Sequence, residues 1–216
     1  MIKQKIKAIN IDNDILQKPI DEANYFHEIC QKDLIVLHFT AGYNWQGAWA
    51  TFAAPGKMST PYIVDLTGPK HIVKLYDEKF WSYHLGIKED RQHLNDKRSI
   101  GIEIVNIGPV WNKDGRWVDY LGKEWPESEI VKGKNRGADG GVKFPDEQVI
   151  AVAQLVNYLC QKYKIKKVIP AERINCQWPG IGNFKGIATH QMFRKDKYDL
   201  GVAWPWEKFL KECGVK

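Results

Sequence analysis

Cysteine is scarce, and its four occurrences, Cys30, Cys160, Cys176 and Cys213, form no C-x-x-C pair. Such wide spacing excludes a thiolate zinc site and makes reduced thiols the expected state. Cys160 falls in an apolar helical pattern and is expected in the core. No apolar run is long enough to span a membrane, so stable membrane insertion is not expected. Residues 1–10 are charged and lack the continuous apolar stretch of a secretory leader, so the chain is expected to be made in the cytoplasm without a signal peptide. There is no arginine-rich helix and no compact basic run interleaved with aromatics, which argues against nucleic acid as a partner. Internal repeats and linker-like stretches are also missing. A single domain over residues 1–216 is the simplest partition, and a monomer is the expected state.

Aromatic and basic residues, by contrast, are plentiful. Nine tryptophans in 216 residues exceed what one core of this size needs, so some are expected along a surface groove. Trp and Tyr there stack on flat or sugar-like ligands. The formal net charge of +6 favours anionic partners.

Hydrophobic periodicity outlines an α/β chain. Residues 34–40 read as a buried strand, and Trp45, Trp49 and Phe52 as one face of a helix capped by Asn44. Residues 62–65 and 71–76 read as two strands joined by a turn at Gly68-Pro69, and residues 99–106 as a further strand. A short helix is expected over residues 21–30. The clearest helix covers residues 146–164, with Asp146 as its N-cap. A short strand over 167–170 and a helix over 204–213 complete the pattern. Residues 107–143 are rich in Gly, Trp and charge without a period, and read as a long functional or mobile insertion.

Three residues sit where their chemistry needs explaining. His38 lies inside an apolar strand, where an imidazole requires a polar partner or a metal. His190 and Asp199, nine positions apart, can converge with it on one ion if the intervening loop folds back. Two His and one carboxylate leave a zinc position open for water, as catalytic sites require. The alternative is that His190 caps a loop and Asp199 caps the last helix, and spacing alone favours neither. Glu103 interrupts the strand Ile100-Gly-Ile-Glu-Ile-Val105. It either turns outward to solvent or faces the metal as a general base.

Several segments, in order, resemble the zinc-dependent N-acetylmuramoyl-L-alanine amidases. That family includes phage lysozyme-type amidases, wall-recycling amidases and peptidoglycan recognition proteins. Leu34-Ile-Val-Leu-His-Phe-Thr-Ala-Gly42 resembles the first-ligand strand. Phe80-Trp-Ser-Tyr-His-Leu-Gly86 resembles W-H-x-G, Ser99-Ile-Gly-Ile-Glu103 resembles S-I-G-I-E, and Lys197-Tyr-Asp-Leu-Gly201 resembles K-x-D-P-G. The resemblance covers roughly residues 34–210. It implies a single mixed β-sheet flanked by helices, with residues 107–143 as an insertion that is a substrate lid or a wall-contact loop. It implies Zn2+ held by His38, His190 and Asp199, Glu103 as base and Lys197 as oxyanion stabiliser. His84, Trp81 and Tyr62 are implied as substrate-groove residues. The chain departs from the pattern where Leu200 replaces the proline and Pro61-Tyr62 replaces an aromatic–His pair.

The implied function is hydrolysis of the bond between N-acetylmuramic acid and L-alanine of peptidoglycan, in an endolysin of the phage type acting on the wall. Alternatives are a cytosolic recycling amidase on soluble muropeptides and a non-catalytic peptidoglycan-binding module. The complete set His38, His190, Asp199, Glu103 and Lys197 favours catalysis.

Overall fold

The computed structural model of the protein describes residues 15–66, 72–170, 178 and 180–215. Five short apolar segments open the fold: β1 (Ile15–Gln17), β2 (Leu34–Phe39), β3 (Tyr62–Val64), β4 (Ile72–Lys74) and β5 (Ser99–Ile104). Five more follow in the segment read as an insertion: β6 (Pro109–Lys113), β7 (Arg116–Asp119), β8 (Glu124–Trp125), β9 (Ile130–Asn135) and β10 (Ala138–Val142). The last strand is β11 (Gly186–Thr189).

The large sheet is mixed, in the order β1-β4-β3-β5-β2-β11, with only the β3–β4 pair antiparallel. Side chains alternate across a strand, and here the alternation separates packing from chemistry. Ile35 and Leu37 of β2, with Ile100, Ile102 and Ile104 of β5, face the main core. Against them packs α3 (Asp146–Tyr163), through Val149, Val152, Val156 and Leu159. Each such buried aliphatic contributes about 1.5–3 kcal/mol. The opposite face carries Leu34 and Val36, packed with Leu85, Ala188 and Met192. His38 continues that second face, and the register sets Glu103 beside it.

Two short helices precede α3. The first, α1 (Trp45–Ala53), starts where the Asn44 side chain accepts from the Gly47 N–H at 2.8 Å. The second is α2 (Leu94–Arg98). After β11 come α4 (His190–Phe193) and α5 (Trp206–Cys213). Cys160 is buried in the main core, as expected. Among the described residues, no helix is long and apolar enough to cross a membrane.

Four local expectations are corrected. Residues 107–143 are not an irregular insertion but a five-stranded antiparallel sheet in the order β8-β7-β6-β10-β9. Residues 21–30 form only a single 3-10 turn, Glu22–Asn24, because the chain then extends and Phe26 gives its N–H to the Trp81 carbonyl at 2.8 Å. Residues 167–170 make no strand, since one backbone bond, from Ile187 N–H to the Val168 carbonyl, is the link to β11. Pro145, not Asp146, caps α3; Asp146 lies in its first turn, where a carboxylate meets the helix dipole. Gly68-Pro69, His71 and Cys176 lie outside the described residues.

Candidate active site

Ligands of open α/β sheets gather at the carboxyl ends of parallel strands. Three candidate residues sit there on adjacent strands: Glu103 near the end of β5, His38 near the end of β2, and His190 immediately after β11. The loop after α4 folds back and brings Asp199 to them. The Phe39 N–H donates to Asp199 Oδ2 at 3.2 Å, which anchors the carboxylate. All three of His38, His190 and Asp199 are buried, at 2, 5 and 5 % exposure. With Glu103, His84 and Lys197 they line a cavity of about 360 Å³.

Hydrogen bonds fix how the rings are protonated. His190 Nε2 faces the Leu85 carbonyl at 2.9 Å. A carbonyl only accepts, so Nε2 carries a hydrogen, and in the neutral ring Nδ1 then keeps its lone pair. Ser99 Oγ donates to the Asn95 carbonyl and therefore accepts from His84 Nε2 at 2.8 Å. His84 Nδ1 is thus an acceptor, and His38 Nε2 donates to it at 2.9 Å. His38 Nδ1 is left with a lone pair as well. Burial, then the neighbouring His190, His84 and Lys197, hold the His38 pKa well below its usual value, which keeps the ring neutral.

Two imidazole lone pairs and a carboxylate oxygen consequently point into one space. The two Nδ1 atoms are 3.0 Å apart, and they lie 3.8 Å (His38) and 3.7 Å (His190) from Asp199 Oδ2. A point about 2 Å from all three corners of that triangle exists, which is the bond length of zinc to His and carboxylate ligands. With both rings in these neutral tautomers the three groups are all acceptors, and a cation between them removes the resulting repulsion. The donor set therefore fits zinc.

Beside this cluster, Glu103 Oε2 is shielded from solvent and has no hydrogen-bond partner among the described residues. Burial pushes the Glu103 pKa up to about 8; the Asp199 charge adds to the rise and Lys197 opposes it. An acid–base group working near neutral pH needs such a value. Ser99, Gly101 and Glu103 occupy alternate positions of β5 and share the site face. Gly101 is required there: a Cβ would lie 2.6 Å from Thr60 Cγ2 and 3.2 Å from His84 Nδ1.

Two of the three groove expectations, Tyr62 and Trp81, are revised. His84 does line the cavity, where both its ring nitrogens are hydrogen-bonded and it orients His38. Tyr62 is buried and donates its hydroxyl to Glu78 at 2.8 Å, away from the cavity. Trp81 stacks on Phe26 with ring centroids 4.0 Å apart and donates to Glu28. Sequence reasoning missed Ser99 and Asp96, the latter accepting from the N–H groups of His84 and Leu85 at 3.0 and 2.9 Å. The signal for Ser99 was available, because it stands four positions before Glu103 on one strand face.

The small sheet also reaches the site. Gln191, next to His190, donates to Asn135 at 3.1 Å, and Tyr198, between Lys197 and Asp199, donates to the Arg136 carbonyl at 3.2 Å. Gly133 and Gly141 let the sheet approach the following residues: a Cβ on either would lie 3.2 Å from Val202 or 3.0 Å from Ala203.

A buried His–His–Asp cluster that could hold a metal ion lies at the carboxyl ends of parallel strands with a shielded carboxyl beside it, an arrangement suited to hydrolysis. The N-acetylmuramoyl-L-alanine amidase family model matches residues 30–201, and the chain belongs to that family of peptidoglycan amidases. No curated protein matches the chain by sequence. Solved structures share the fold. The amidase AmiD from E. coli, in complex with anhydro-N-acetylmuramic acid-L-Ala-D-gamma-Glu-L-Lys, aligns at 20% identity and a TM-score of 0.56 over 86% of this chain and 59% of its own. PlyL aligns at 14% identity and a TM-score of 0.54 over 94% and 98%. The endolysin amidase LysCS from Clostridium intestinale URNW aligns at 15% identity and a TM-score of 0.54 over 94% and 96%.

Proposed function

We propose that the protein is a zinc-dependent endolysin-type amidase that hydrolyses the bond between the N-acetylmuramic acid lactyl group and L-alanine in intact peptidoglycan. The observation that carries this reading is the convergence of His38 Nδ1, His190 Nδ1 and Asp199 Oδ2 beside Glu103, whose buried Oε2 has no hydrogen-bond partner among the described residues. The AmiD complex holds a molecule containing this bond. The net charge of +6 and the abundant aromatics support a polymeric, anionic substrate.

His38, His190 and Asp199 would hold zinc, which supplies Lewis acidity to polarise the lactyl carbonyl and make water a nucleophile near neutral pH. Glu103 takes the proton of the attacking water as its oxygen adds to the carbonyl carbon. Lys197 lines the same cavity and offsets the negative charge that develops on the carbonyl oxygen. The carbon–nitrogen bond then breaks, and Glu103 returns the proton to the alanine nitrogen. The His84–Ser99 chain keeps the His38 ring in the tautomer that presents Nδ1.

Digestion of purified peptidoglycan with metal-free and zinc-restored protein tests the reading. Zinc-dependent release of alanine amino groups, without new reducing sugar ends, is the expected result. Release from soluble muropeptides alone would assign it to the recycling class instead. Failure on both substrates by folded, zinc-loaded protein would sink the proposal.

A further inference from the structure

The small sheet carries to the rim of the active site a set of aromatic side chains that hydrolysis does not use. At the end of β7, Asp119 is buried, at 3 % exposure. Its Oδ2 accepts from the Tyr43 hydroxyl at 2.7 Å and from the Trp125 indole N–H at 2.9 Å. Its Oδ1 accepts from the backbone N–H groups of Leu121 and Lys123 at 2.9 and 3.0 Å. One carboxylate thus pins two rings and the β7–β8 turn together. Tyr120, in that turn, donates its hydroxyl to the Ala41 carbonyl at 2.6 Å, and Ala41 lines the cavity that holds His38. The ring tips are tied down, yet Tyr43, Tyr120 and Leu121 remain 37, 53 and 59 % exposed.

A ring that served only packing would turn its faces inward. These rings are fixed in orientation and left in contact with water beside the cleft. Binding to such a patch costs little side-chain entropy, because the ordering is already done. An aromatic face suits the C–H face of a pyranose ring; the Lys123 ammonium lies over one face of Tyr43, 4.8 Å from the ring centroid, and with the tyrosine hydroxyl oxygens offers polar groups to sugar substituents. The patch joins the cleft through Ala41. A polymer with one muramic acid residue in the cleft can extend onto it.

We infer that Tyr43, Tyr120 and Leu121 form a subsite for the glycan strand, binding N-acetylated sugars that neighbour the muramic acid residue whose amide is cut. This rests on the amidase reading and deepens it: a fragment with a single sugar cannot reach the patch, whereas intact wall can.

The test compares the wild type with a Tyr43→Ala, Tyr120→Ala double variant. Peptide-free glycan strands are titrated into metal-free protein, followed by tryptophan fluorescence. Zinc-loaded enzyme is assayed on intact peptidoglycan and on a soluble muramoyl-peptide with one sugar. The variant should bind glycan about tenfold more weakly and show an about tenfold higher KM on intact wall, a loss set by the missing ring contacts. Its kcat, and its rate on the one-sugar fragment, should match the wild type. Unchanged glycan binding would overturn the subsite. So would equal losses on wall and fragment, which would make the patch a support of the cleft. If wild-type enzyme cleaves neither substrate while glycan binding still depends on the two rings, the amidase reading falls and the subsite stands.

Discussion

Ser99, Gly101 and Glu103 share one face of β5, and each meets a different need: Ser99 fixes the His84 tautomer, Gly101 makes room for that ring, and Glu103 is the base of the proposed reaction. Glu103→Gln removes the base without touching the three proposed ligands. Its turnover should fall by about 10²–10⁴-fold while metal analysis still finds one zinc per chain; loss of the metal would show that Glu103 is part of the binding set. His38→Ala should lose zinc and melt at a lower temperature, because binding to a site absent from the unfolded chain adds to folding stability. A zinc-replete variant with unchanged melting would remove His38 from the ligand set. His38 and Glu103 were legible as polar residues breaking apolar strands. The tautomer chain was not, since it depends on His38, His84 and the Asn95–Ser99 stretch meeting from three separate segments.

Strands β2 to β5 and helices α1, α3 and α5 were legible because their apolar patterns are strong, whereas the edge strands β1 and β11, only three and four residues long, were not. The small sheet was hidden because its own core is thin: Ile107, Val110, Trp117, Ile130 and Val142 are its buried apolar cluster, and the outer face is polar. One clue was present. Asp114-Gly115 is a two-residue hairpin turn, and both residues have positive φ, 53° and 84°. Arg136-Gly137 turns in the same way, at 53° and 87°, but Arg carries no such signal. The β9–β10 hairpin holds the stretch that carries His190, Lys197 and Asp199 from outside, through Asn135 to Gln191 and Arg136 to Tyr198, while Leu200 anchors it in the main core. Asn135→Ala should therefore weaken zinc binding by up to about tenfold with little change in melting temperature of the metal-free protein. Competition with a chromophoric chelator measures this, and wild-type affinity would contradict the clamp.

Across the molecule, the end of α3 is fastened to the far edge of the large sheet through Glu78, which is fully buried. Lys162 of α3 reaches it at 2.6 Å, Lys74 of β4 at 2.7 Å and the Tyr62 hydroxyl of β3 at 2.8 Å. Burial alone would raise the Glu78 pKa, but Lys162 and Lys74 outweigh it and hold it down to about 2, from 4.5. A depressed folded-state pKa stabilises the fold above pH 4.5, and that stability is lost as pH falls toward 2. Glu78→Gln should cost on the order of 2 kcal/mol at pH 7 and progressively less below pH 4.5. Urea denaturation of both proteins across that range checks this; a gap independent of pH would mean that packing, not charge, is lost. A second molecule-wide consequence follows from the loop wedged between the two sheets. In the proposed zinc enzyme, metal binding is expected to favour the same loop position that the small sheet holds, and by linkage each would then strengthen the other by the same factor. Zinc should slow amide hydrogen exchange in β9 and β10, which contribute no ligand, and a sugar chain gripping the small sheet should tighten the metal in return. Such an enzyme would be most complete when seated on its polymer and least complete when adrift.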